Sequence, residues 1–77
     1  MHLEAWRTRE NLTLDDVAER LRALGVQVSS VSVGRHERFQ RMPGRDVLRG
    51  YAKITNGEVT ANDFVEPPEP VEGAVNV

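Results

Sequence analysis

The chain has 77 residues, no cysteine and a formal charge of −2, which limits it to one small domain and excludes a disulfide framework or thiolate metal site. His2 and His36 have no Cys or His companion at ligand spacing, so no metal is expected; no apolar run reaches the length of a secretory or membrane-spanning segment, so a cytoplasmic chain without a membrane role is expected. The charge is uneven: Arg20 to Lys53 holds eight basic and two acidic residues, a local +6, while the other acids gather on either side, an arrangement that can present one positive face on an acidic molecule.

The first element is a short helix over 3–10. Leu3 and Trp6 share one face, with Arg7, Arg9 and Glu10 turned to water, and Asn11 offers a left-handed stop. Thr13 opens the second helix with Asp16 three residues on, a capping-box variant. Asp15 and Asp16 also suit the positive end of the helix dipole. Leu14, Val17, Ala18, Leu21 and Leu24 form one apolar stripe, and Gly25 ends it.

Gly25 to Ser29 reads as a turn anchored by Val26 and Val28. The valine–serine run from Val26 to Val33 also carries a strand signal, but no second run exists to pair with it. Read as a helix, the third element is capped by Ser29 or Ser30. Val33 and His36 then face inward, and Ser30, Ser32, Arg35 and Arg38 face mostly outward. His36 is expected to be partly buried and satisfied. Gly34 lets a backbone or a ligand approach closely.

Phe39 to Met42 is a connector. Pro43 suits the first turn of a fourth helix, with Val47, Leu48, Tyr51 and Ala52 inward and Arg45, Arg49 and Lys53 exposed. Thr55-Asn56-Gly57 is a turn. Thr60 and Asp63 repeat the capping arrangement for a very short fifth helix, with Phe64 in the core. From Glu66 on, prolines and glutamates alternate, so residues 66–77 are expected to form a disordered acidic tail outside a folded domain of residues 1–65. The expectation is an all-α, compact bundle of about five short helices.

The order of these features resembles the lambda-repressor-like (Cro/C1, or XRE) helix-turn-helix family. The matching residues are Leu12-Thr13-Leu14, Val17-Ala18, Leu24-Gly25-Val26, the run Val33-Gly34-Arg35-His36-Glu37-Arg38 with Arg41-Met42-Pro43, and the closing Ile54 to Phe64. Two departures stand out. Ala18 and Val33 are farther apart than in the family, so either the second helix is longer or the turn is larger. Phe39 stands where the family commonly has glycine.

The resemblance implies a sequence-specific double-stranded-DNA-binding regulator of phage type. Most simply it is a repressor that binds a palindromic operator as a homodimer, with the third helix in the major groove. Ser29, Ser30, Val31, Ser32, Gly34 and Arg35 are the expected base-reading positions. Of these, Arg35 has the chemistry to bond guanine O6 and N7 together, and Val31 to meet a thymine methyl. Arg38 and Arg41 are expected phosphate clamps, and Thr13 resembles the family's other phosphate contact. The family pairs the acid at Glu37 with an arginine, here expected to be Arg22, Arg41 or Arg45. Val59, Phe64 and Val65 are the expected dimer contact. No cofactor, small-molecule ligand or enzymatic activity is expected, because the serines lack a base partner and capping accounts for Asp15 and Asp16. The alternative is a protein-binding module, an antitoxin or adaptor, using the same helices against a protein partner.

Overall fold

The computed structural model describes residues 1–65, and over that span the chain is all-helical: α1 (Leu3–Arg9), α2 (Leu14–Ala23), α3 (Ser30–Glu37), α4 (Arg45–Ile54) and a closing 3₁₀ turn, Ala61–Phe64. The fifth helix is thus a single 3₁₀ turn. No strand forms among the described residues, so the helical reading of Ser30 to Val33 holds. The expected acidic tail lies outside the described residues.

The helix starts follow local chemistry. The Asp16 amide donates to Thr13 Oγ1 at 3.0 Å and the Thr13 amide to Asp16 Oδ2 at 2.9 Å, a reciprocal box. Ser29 caps α3, its Oγ accepting from the Ser32 amide at 3.2 Å. Gly44, not Pro43, is the cap of α4. Pro43 therefore lies two residues before the first helical residue, Arg45, outside the first turn that the sequence suggests for it, and is buried.

Each of the four α-helices ends in a Schellman motif. The residue after the cap is Asn11, Gly25, Phe39 or Asn56, all at positive φ. Its amide and the next one return to the last turn, as in Gly25 to Arg22 O at 2.9 Å and Val26 to Leu21 O at 3.1 Å. Phe39 at φ 62° is the costly member, since a bulky residue there is strained by about 1–3 kcal/mol. The exit turn keeps the geometry that glycine would favour and holds it with phenylalanine. The Phe39 ring packs edge-on against His2 at 6.0 Å between centroids.

α2 is the hub and packs on both α3 and α4. Val17, Ala18 and Leu21 are fully buried, each larger side chain contributing about 1.5–3 kcal/mol of burial. Leu24, expected on the same stripe, is the cap residue and is 46% exposed. α2 stops at Ala23, so the extra residues before α3 enlarge the turn at 24–29 and do not lengthen the helix. Gly50 permits the close approach of α4. A Cβ there would lie 2.6 Å from Leu21 Cδ2.

The core is completed by Leu3, Trp6, Val33, Tyr51, Val59 and Phe64. Tyr51 and Phe64 stack at 5.0 Å, and the His36 ring meets both edge-on. Buried Thr55 ties α4 to the closing segment, donating to Tyr51 O at 2.6 Å and accepting from the Val59 amide at 3.0 Å.

Candidate functional site

The candidate site is the outward side of α3 with the segment that follows it. The serine cap fixes where α3 begins, and Val33 and buried His36 turn it against the core. Val31 is left 59% exposed, and Ser29, Arg35, Arg38 and Arg41 are exposed as well. Ser30 and Ser32 are half-buried. Ser32 lines a hollow with Gln27, Arg41 and Met42, so the α3 face continues into the connector.

Gly34 is not part of that outward face. It is buried, and a Cβ there would lie 3.3 Å from both Leu14 Cδ1 and Arg38 Nη1. Its missing side chain admits α2 and brings the Arg38 guanidinium back over α3 toward the first turn of α2. Thr13 is exposed at that same turn. Its hydroxyl oxygen already accepts from Asp16, which leaves the hydroxyl proton available to donate.

Glu37 lies inside the cationic run, and its partner decides the local charge. Arg7, from α1, donates Nε to Glu37 Oε2 at 2.6 Å and Nη2 to Oε1 at 3.1 Å. Arg7 also donates Nη1 to Leu12 O at 3.0 Å. The Glu37 side chain is only 7% exposed and that of Arg7 20%. The bidentate geometry raises the Arg7 pKa further. None of the three arginines expected from sequence, Arg22, Arg41 or Arg45, holds Glu37. Arg22 instead donates to Val28 O at 2.9 Å and braces the enlarged turn. Arg7 was missed because it lies thirty residues away and nothing local marks it.

With Glu37 neutralised from α1, the positive charge of α3 is unopposed. The acids that pair do so with Arg7, Arg9 and the N-terminal amine. Among the described residues, none of the eight cations from Arg20 to Lys53 forms an ion pair with a carboxylate. His36 Nδ1 lies 2.8 Å from Tyr51 Oη. Burial, and then the nearby Arg41 charge, hold the His36 pKa below its usual value, so the ring is neutral and structural. Burial likewise pushes the Tyr51 hydroxyl up, so it remains a donor.

Two residues expected at a dimer contact are elsewhere. Val59 and Phe64 are buried in the monomer's own core, and only Val65 is exposed. No helix of the described residues is long and apolar enough to cross a membrane. Comparison with family models, curated proteins and solved structures gave no match.

Proposed function

We propose that the chain is a sequence-specific double-stranded-DNA-binding regulator, a helix-turn-helix module of lambda-repressor-like type whose α3 lies in the major groove. The observation that carries this reading is the outward side of α3. It carries one exposed apolar side chain, Val31, and Arg35, with Arg38 at the helix cap and Arg41 in the connector beside Ser32, none of them paired with a carboxylate among the described residues. Arg35 reads guanine through O6 and N7, and Val31 meets a thymine methyl. Ser29, Ser30 and Ser32 line the near edge. Arg38, Arg41 and Thr13 grip phosphates, with the first turn of α2 adding its dipole.

One such module buries little surface, so it acts as a two-fold dimer on a palindromic operator, with half-sites about 34–36 Å apart. Repression follows from occluding a promoter in the cytoplasm. The dimer contact draws on Val65 and other exposed apolar side chains, since Val59 and Phe64 are spent on the core.

A second reading, a protein-binding module, draws support from the apolar side chains of Val31 and Met42, which are 59% and 51% exposed. A gel shift against a random duplex pool separates the two. The DNA reading expects a selected sequence whose binding falls when Arg35→Ala is made, by about 1–3 kcal/mol. Weak binding without sequence preference supports the second reading, and selection indifferent to Arg35→Ala overturns the assignment of α3 as the reading helix.

A further inference from the structure

None of the side chains assigned to DNA lines the groove between the end of α2 and α4. Leu24, Val26 and Gly50 line it together with Asp46, Arg49 and Lys53. An adjoining hollow that shares Gly25, Val26 and Asp46 reaches Arg45. Gly50 keeps the two walls close, since a Cβ there would lie 2.6 Å from Leu21 Cδ2 and 3.4 Å from Val26 Cγ2. Leu24 is 46% exposed and Val26 half-buried, so the groove holds apolar surface that the domain does not cover.

The charge along this groove works against the helix that carries it. Arg45, Arg49 and Lys53 are exposed and recur every fourth residue of α4, and like charges at that spacing oppose a helix. Arg45 is also the first residue of α4 and stands at the positive end of its dipole, where a cation is unfavourable. Asp46 precedes Arg49 by three residues, yet among the described residues no carboxylate pairs with any of the three cations. The fold thus bears the stripe without using it, and a bound anionic partner would offset both penalties.

Spacing and surface together select the partner. At a rise of about 1.5 Å per residue the three cations repeat at about 6 Å and span about 12 Å. A second helix lying along α4 with a carboxylate at every fourth residue has the same repeat of about 6 Å. Leu24 and Val26 offer nothing to a phosphate backbone, whereas an amphipathic helix has an apolar stripe to set against them.

We propose that the groove between α2 and α4 is the docking site for an acidic amphipathic helix of another protein, with its carboxylates at four-residue steps against Arg45, Arg49 and Lys53 and its apolar stripe over Leu24 and Val26. Two turns of helix make a small contact, so the association is transient. Salt weakens it by screening the exposed charges, and the apolar part persists.

The probe is a synthetic helical peptide with glutamates at every fourth position beside a leucine stripe, titrated into the isotope-labelled full chain and followed by backbone-amide NMR. A peptide of the same composition in scrambled order and a short random DNA duplex are titrated in parallel. The expected result is saturable shifts centred on Val26, Arg49, Gly50 and Lys53 with the ordered peptide, while the amides of Val31 and Arg35 stay in place. Arg49→Glu/Lys53→Glu should weaken the peptide at least about tenfold, and Leu24→Gln should weaken it with every cation retained; both variants are checked for an unchanged melting transition. Four results overturn the proposal: no saturable shift, equal binding of the scrambled peptide, shifts at this groove with the duplex and not the peptide, or shifts that follow protein concentration alone and so report a second copy in the groove. The peptide arms contain no nucleic acid, so their failure leaves the DNA reading of α3 standing, and failure of that reading leaves the groove assignment standing.

Discussion

Replacing Arg7 by alanine should damage the fold more than replacing Glu37, although the two form one pair. The Glu37 side chain is 7% exposed, and Arg7 supplies both of its charged hydrogen bonds. In Arg7→Ala the carboxylate stays nearly buried and loses its partner. Breaking a buried pair in this way costs about 3–5 kcal/mol. Arg7 is 20% exposed, so water reaches the site and a loss just below that range, about 2–3 kcal/mol, is expected. In Glu37→Ala the freed guanidinium keeps its bond to Leu12 O and its long stem carries the charge to water. That loss should be about 1–2 kcal/mol. A domain of this size has roughly 3–10 kcal/mol in total, so Arg7→Ala should lower Tm by about 10–20 °C. Urea unfolding followed by the fluorescence of Trp6, the one tryptophan and a buried one, gives both values. A double-mutant cycle should return a coupling above about 1 kcal/mol. Equal losses in the single variants, or additive ones, would refute the account of Glu37 as a carboxylate neutralised from α1.

Gly50→Ala should lose about 1 kcal/mol despite the better helix propensity of alanine, because its Cβ would meet the fully buried Leu21 at 2.6 Å; a higher Tm would contradict the close α2–α4 packing. Phe39→Ala should be less stable than Phe39→Gly by about 1 kcal/mol, since both lose the His2 contact but only glycine relieves the positive φ; equal urea midpoints would count against the strained turn. Because the folded His36 has a lowered pKa, the unfolded chain protonates first as pH falls. Its stability contribution is therefore complete above about pH 6.5 and lost below it, and His36→Gln should flatten the urea midpoint between about pH 7.5 and 5.5. Asp16, Glu58 and Asp63, whose pKa values are also lowered, act in the same direction but only nearer pH 4. Arg38→Ala and Arg41→Ala should each weaken binding to all duplexes alike and reduce the salt slope by about one unit; a change in sequence preference would move them from phosphate to base contact.

The features legible in the sequence are those set by near neighbours. Thr13 with Asp16, Ser29 before α3, Gly25 after α2 and Asn11 after α1 each act within a few residues, and their types reveal their conformations. Glu37 marked an ion pair, but its partner lies on another helix, and several arginines matched equally well on paper. Phe39 was read as a poor fit for positive φ, and it adopts that φ because the helix end and the His2 contact over-determine it. The sequence leaves Val59 and Phe64 open between a core and an interface, because apolar residues near the end of a domain suit both equally, and only packing on Tyr51 and Thr55 tells them apart. The inward position of Gly34 was not legible, because a residue without a side chain carries no polarity to indicate its side of the helix. The sense of α3 was legible, since Val33 and His36 are inward and Val31 and Arg35 outward. The size of the turn before it was not, because either a longer helix or a longer loop satisfies the same spacing.

The central claim is that the outward side of α3 reads a DNA sequence. Selection from a random duplex pool by the full chain, followed by sequencing of the bound fraction, tests it most directly. The account predicts an enriched palindrome with half-sites one helical turn apart, containing a guanine whose preference is relaxed by Arg35→Ala. A bound pool no different in sequence from the input would contradict it.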